Sequence, residues 1–284
     1  MSQDGACEVC GSMERTHLYE VDGWSIMRCV GCGLGFVATP PSDADLVALY
    51  DASYYEDDTQ PGYAGYAEAE ARKRHHDRTL LDAIEALRPA GDLLEIGCAY
   101  GYFLDEARTR GWRVRGVEPS EHAVKYAKSQ LHLDVSRAAF TDLAPEPEAL
   151  DAVVLWDVIE HLPNPRQTVE RAYRWLRPGG VIALSTGDFA SLTARLHGSD
   201  WSLMTPPWHQ FYFSRASVSR LLESVGFEFV RMGGDGNVAV DRGSRRPRVP
   251  GPFASVLSSS RVTSVARRLG AGGILFAYAR KPSS

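Results

Sequence analysis

The 284-residue chain carries 31 Lys and Arg against 36 Asp and Glu, for a formal charge of −5, and is 44% hydrophobic. That length and apolar content can fill one sizeable α/β core with a small appendage. The acidic balance leaves no broad basic footprint, which argues against a protein built to sit on nucleic acid or an anionic membrane and favours a small-molecule partner.

The first ten residues, MSQDGACEVC, contain no basic-then-apolar leader. No later run approaches the roughly 18 apolar residues of a spanning helix, so a cytoplasmic protein is expected. In a reducing compartment the five cysteines are not expected to form disulfides. Cys7 and Cys10 form one C-x-x-C pair and Cys29 and Cys32 a second, with 18 residues between them. That is the spacing of a structural Zn²⁺ ribbon. Gly11 and Gly33 follow the pairs and permit the positive φ that lets two thiolates reach one ion. Four sulfurs close a tetrahedron, so the metal should supply folding free energy rather than chemistry. Residues 11–28 offer only Arg15 and Arg28 as firm positive charges, little for a phosphate backbone. The predicted organisation is a zinc-ribbon module over 1–45, a linker and lid helix over 46–90, and one large domain over 91–284.

The linker is rich in tyrosine and acid (residues 50–58, then Tyr63 and Tyr66) and leads into a helix over 67–88. It can close as a lid, which makes Tyr63 a substrate-binding candidate, or it can simply pack between knot and sheet. The basic run at residues 72–76 reads as a solvated helix face.

From about residue 80 helices alternate with short apolar runs: Leu93–Ile96, Val114–Val117, Leu133–Val135, Ala152–Trp156, Val181–Leu184 and a last one at Ile274–Ala279. This rhythm predicts an α/β fold, a Rossmann-like, mostly parallel seven-stranded sheet with helices on both faces. The first run ends in Leu94-Glu-Ile-Gly-Cys-Ala-Tyr-Gly101, a strand followed by a small-residue turn where a nucleotide can approach bare backbone. A dinucleotide fingerprint would need glycine at position 102, where Tyr stands, so hydride transfer is disfavoured. Glu118, 21 residues after Gly97, closes the second strand, where a carboxylate can accept from two ribose hydroxyls. Ser120 is placed to cap the next helix. Cys98 reads as a small buried side chain.

The fourth strand runs into Asp157-Val-Ile-Glu160-His161, and the long connection Thr186–Gln210 carries Trp201, Trp208 and His209 ahead of a helix near Ser214. Chemistry in such sheets sits beyond the carboxyl ends of the strands, and a loop of this length is usually functional. His161 and His209 are therefore the candidate catalytic residues, two sides of one acceptor pocket with Trp201 and Trp208 as its apolar walls. Asp157, Glu160 and His161 lie at i, i+3 and i+4, and with His209 they also suit Mg²⁺ or Mn²⁺ acting as a Lewis acid. Residues 232–270, rich in Gly, Ser and Arg, read as a flexible insertion.

With Glu95, Gly97, Gly101 and Glu118 in these places, the chain resembles the class I S-adenosylmethionine-dependent methyltransferases, with Ala99 where that family usually has a middle glycine. The resemblance implies that the Gly97–Gly101 backbone, together with Glu95 and Ala99, receives the methionine part. It places Glu118 on the ribose, Pro119 and Phe140 beside the adenine, and Asp157 against the cofactor. The four-cysteine module, Glu160-His161 and His209-x-x-Tyr-Phe-Ser214 together resemble bacterial methyltransferases of sugar nucleotides, polysaccharide precursors and natural products. In the sugar C-methylating members a Glu precedes the second histidine. Here Trp208 stands there, which disfavours C-methylation, removes a carboxylate orienter from His209 and favours O-methylation of a hydroxyl. A non-catalytic zinc-ribbon scaffold is the rival reading, and the intact cofactor motif argues against it.

Overall fold

The computed structural model describes residues 5–41, 70–138, 146–235, 262, 265 and 272–283. Tyr63, Phe140, the proposed lid stretch 46–69 and most of the 232–270 insertion lie outside the described residues.

The chain opens with β1 (Arg15–Val21), β2 (Trp24–Cys29) and β3 (Gly35–Val37), a small antiparallel meander. Then come α1 (Glu70–Glu85), β4 (Asp92–Ile96), α2 (Tyr102–Thr109), β5 (Arg113–Glu118), α3 (Glu121–Gln130), β6 (Val135–Arg137), β7 (Leu150–Trp156), α4 (Pro165–Trp175) and β8 (Leu176–Gly187). After the short α5 (Leu192–His197) and β9 (Phe211–Tyr212), the fold closes with α6 (Arg215–Val225), β10 (Glu228–Gly234) and β11 (Ile274–Arg280).

The large sheet has the order β10-β11-β8-β7-β4-β5-β6. Strands β6, β5, β4, β7 and β8 run parallel, and β11 is antiparallel to both of its neighbours. Both faces are covered, so the inner strands are mostly apolar: β7, LDAVVLW, is buried from Leu150 to Leu155, with Asp151 its one charge, paired with Arg88 and Arg177. One face packs Leu93, Ala152 and Val154 against Leu81 and Ile84 of α1, Phe103 and Leu104 of α2, and Val124 of α3. The other packs Leu94, Ile96, Val153 and Leu155 against α4 and α6. The chain order reverses between β4 and β7, which opens the switch-point crevice at their carboxyl ends.

Local signals explain most element ends. Ser120 caps α3 by accepting from the Ala123 amide, and Ser214 and Ser217 form a reciprocal capping box on α6. Asn164 occupies the N-cap position of α4 without a side-chain cap bond, and Pro165 opens the helix. The basic run on α1 is more than a solvated face. Arg74 pairs with Glu70 and Asp105, and Arg78 with Glu106, tying α1 to α2.

The cysteine segment is part of the main core. Val9, Leu34 and Phe36 are 1%, 0% and 1% exposed and join the cluster beneath β4, β7, α4 and α6, each side chain stabilising by about 1.5–3 kcal/mol. Arg166 of α4 donates to the carbonyls of Glu8 and Val9 at 2.7 and 2.9 Å, and Arg220 of α6 to that of Gly31 at 3.0 Å. The small sheet is completed from afar, with order β1-β2-β3-β9, so one of its four strands comes from the loop between β8 and α6. Among the described residues no helix is long and apolar enough to cross a membrane.

Candidate functional site

The four cysteine sulfurs converge. Cys7 Sγ lies 3.6 Å from Cys32 Sγ and Cys10 Sγ 3.5 Å from Cys29 Sγ, and all four lie within 4.8 Å of one another. Metal–sulfur bonds of about 2.3 Å in a tetrahedron put sulfurs about 3.8 Å apart, so the donor set fits Zn²⁺. Gly11 and Gly33 take φ of +72° and +76°, and their amides close the two turns onto Cys7 O and Cys29 O at 2.9 Å. The spacing reading of those glycines is what the backbone does.

At the carboxyl end of β4 the turn 97–101 is left-handed at three places: Gly97 at +70°, Ala99 at +47° and Gly101 at +84°. A Cβ on Gly97 would meet Val158 at 2.5 Å, and one on Gly101 would meet Leu133 at the same distance, so neither position tolerates a side chain. Ala99 adopts the conformation a middle glycine would take, at a cost of about 1–2 kcal/mol. Its amide is thereby aimed at Glu118, whose two carboxylate oxygens accept from Ala99 N at 3.0 Å and Ser120 N at 2.9 Å.

Deeper in the same crevice Glu95 is 3% exposed, and its Oε2 has no hydrogen-bond partner. Burial first, and the nearby Asp77 second, push its carboxyl well above the ordinary range. Asp77 on α1 is itself pushed up to about 7 by burial. The buried, unpartnered Glu95 Oε2 is a polar atom that the ammonium of S-adenosylmethionine, the group the resemblance implies, would satisfy. The residues present therefore fit it. Pro119 is half-buried beside Glu118. Cys98 is buried, with its thiol pushed up by burial, as expected of an inert packing residue.

At the carboxyl end of β7 the rings of His161 and His209 lie 4.6 Å apart, edge to face at 83°. His161 Nδ1 meets Trp208 O at 2.9 Å and His209 Nδ1 meets Leu203 O at 2.8 Å. A carbonyl only accepts, so each Nδ1 carries the hydrogen and each Nε2 is the basic atom. The carboxylate orienter that Trp208 displaced from before His209 is thus replaced by a backbone carbonyl. Burial lowers His161 to about 3 and His209 to about 4, so both rings are neutral at pH 7. Glu160 is 3% exposed and pushed up to about 8 by burial and then by Asp157.

The structure brings Glu160, His161 and His209 together, with one ligand atom from each within 4.8 Å of the others. Asp157 stays out of that group. It is exposed, at φ +53°, and accepts from Ser185 Oγ at 2.7 Å. The two tryptophans also separate. Trp208 packs against the cluster of Ala99, Tyr100, Tyr102 and Ala123 next to the 97–101 turn, and its backbone carbonyl accepts from His161. Trp201, 4% exposed, sits with Val21, Ile26, Val37 and Tyr212 under the small sheet. The sequence reading missed Asp77, which sits among basic residues on α1, and Gln210, which no local pattern marks.

The methyltransferase-domain family matches residues 64–231, more than half of the chain and the whole of the crevice just described. The chain belongs to the methyltransferase-domain family. A protein of Mycolicibacterium smegmatis named as an S-adenosylmethionine-dependent methyltransferase is 34% identical over 145 residues, 50% of this chain and 54% of the relative. A ubiquinone biosynthesis O-methyltransferase of Azoarcus is 28% identical over 154 residues, 50% of this chain and 66% of the relative. The chain thus spans between half and two thirds of the length of these curated relatives. Among solved structures, a SAM-dependent methyltransferase from Archaeoglobus fulgidus superposes with TM-score 0.52 at 19% identity, covering 76% of this chain and 99% of that one. The 4+2-cyclase SpnF does so with TM-score 0.51 at 19% identity, covering 73% and 81%. These likenesses show the fold, and a cyclase among them is a reminder that the site, not the fold, selects the reaction.

Proposed function

We propose that this family member transfers the methyl group of S-adenosylmethionine to a hydroxyl of a small acceptor, a sugar or natural-product precursor, with a histidine as general base. The observation that carries the reading is the His161–His209 pair. Two neutral rings, each fixed in one tautomer, lie past the carboxyl end of β7, the strand paired with β4 and followed in chain order by Glu160-His161. Methyl transfer is an in-line displacement on a sulfonium. It needs an aligned acceptor and a place for the hydroxyl proton, and a neutral Nε2 supplies that place. Trp208 lines the way from the cofactor turn to the pair as an apolar wall. The cysteine module with Zn²⁺ is support in this reading. The O-methyltransferase names among the relatives favour oxygen as the acceptor atom.

The test is methyl transfer from labelled S-adenosylmethionine to a panel of sugar nucleotides, glycosides and catechols, with the product identified by mass spectrometry. In His161→Ala and in His209→Ala, turnover should fall by about 10²–10⁴ with cofactor affinity by calorimetry unchanged. Full turnover in both variants removes the histidines from the mechanism, and absent cofactor binding by the parent protein removes the enzyme.

A second reading is favoured by one observation: the buried Oε2 of Glu160, which has no hydrogen-bond partner, lies in a cluster with both histidines. Glu160, His161 and His209 would hold Mg²⁺ or Mn²⁺, which when bound polarises an acceptor oxygen. Nδ1–H bonds to carbonyls are the usual outer partners of ligating histidines. Turnover of the zinc-loaded protein that is indifferent to added Mg²⁺ or Mn²⁺ and to their prior removal would exclude it.

A further inference from the structure

Gln210 is 2% exposed and stands where the cysteine module meets the reacting end. Its carbonyl accepts from Val37 N of β3 at 2.9 Å, and its own amide donates to Glu160 O at 2.9 Å. Its side-chain Nε2 donates to His161 O at 2.7 Å. The bracing is reciprocal, because the His161 ring in turn donates to Trp208 O two residues upstream of Gln210. On the module side the anchor is short. Gly33 N and Cys29 N close the second cysteine turn onto Cys29 O and Leu34 O, and β3 starts at the next residue, paired through Phe36 and Gly35 with Phe211 and Tyr212 of β9. An unbroken run of backbone bonds therefore leads from the Cys29–Cys32 turn through β3 and Gln210 to the two histidines.

We propose that Gln210 is a positioning residue that locks the Glu160–His161 turn to the cysteine module, so that the metal-held module sets the spacing and tautomers of the His161–His209 pair. This rests on the reading of that pair as the reacting end. Residues 161 and 209 lie 48 positions apart on separate loops, and direct ring contact alone does not fix one against the other. The bond from the buried Gln210 side chain to His161 O does, because breaking it leaves that carbonyl without its donor.

The experiment is long-range proton–nitrogen correlation spectroscopy of histidine-labelled, zinc-loaded protein, which reads the tautomer of each ring, with S-adenosylmethionine calorimetry and thermal melting alongside. Gln210→Met keeps the length and removes the donor. It should shift the His161 and His209 ring signals and bring in the second tautomer, with cofactor affinity within about twofold of the parent, since the cofactor turn shares no partner with Gln210. Cys32→Ser, with Gln210 intact, should disturb the same ring signals from the other end of the run. Ring signals unchanged in a folded Gln210→Met protein overturn the proposal. So does a uniform loss of melting temperature and cofactor binding without a tautomer change, which would make Gln210 a general core residue. If His161→Ala and His209→Ala both keep turnover, the base reading fails, while the ring signals of Gln210→Met still decide the link.

Discussion

The two ends of the crevice are built in different ways. The cofactor end comes from one continuous stretch, Glu95 to Ser120, in which β4, a left-handed turn, α2 and β5 follow in order and Glu118 bonds back to Ala99. The reacting end comes from two loops and leans on a third segment, the cysteine module, through β9. Electrostatics differ as well: buried carboxyls pushed up at one end, neutral rings at the other. A locally built site should survive damage elsewhere. A site assembled from distant segments should not.

The strongest way to break this comparison is to remove the metal. Cys7→Ser together with Cys32→Ser should cost most of the roughly 10 kcal/mol that structural zinc contributes in small modules. Melting should become biphasic or shift far down, with the small sheet and the paired-ring signals lost. S-adenosylmethionine binding should outlast them, and equal loss of both in calorimetry would mean the two ends are one cooperative unit.

Glu118→Ala works on the other end. It leaves the buried amides of Ala99 and Ser120 without acceptors, at about 1–3 kcal/mol, and removes the carboxylate that the resemblance assigns to the ribose. Cofactor affinity should fall at least tenfold while the histidine ring signals stay in place.

The smallest effect is in pH dependence. Asp77 is raised in the folded protein to about 7 from an ordinary 3.8. The folded state then binds the proton more tightly than the unfolded one, so its contribution is intact below about pH 4 and is lost as pH rises through 7. Asp77→Asn should therefore melt like the parent at pH 4 and above it at pH 8. The gap should grow by at most about 1.4 kcal/mol per pH unit and narrow when S-adenosylmethionine supplies the missing charge. An equal offset at both pH values would show that folding leaves the proton affinity of Asp77 unchanged.

The sequence alone determined what depends on neighbours in the chain. The alternating apolar runs gave the parallel sheet, because a strand buried on both faces must be largely apolar. Glycines at 97 and 101 gave the cofactor turn, because nothing larger fits against Val158 and Leu133. The paired cysteines with their following glycines gave a convergent four-thiol cluster of the kind that can hold one ion, because two thiolates on one tight turn point the same way. Ser120 and Ser214 gave helix starts for the same local reason. Tertiary structure decided the rest. It seated Trp201 under the small sheet and Trp208 on the cofactor turn, although both share one loop. It gave His209 a carbonyl in place of a carboxylate, separated Asp157 from the Glu160–His161–His209 cluster, and drew β9 and Gln210 into the cysteine module. The His209 carbonyl comes from Leu203, only six residues away, but the links of Gln210 to His161 and of β9 to β3 join residues 49 and 175 positions apart, and no periodicity or spacing along a chain encodes which distant backbone group a buried side chain will meet.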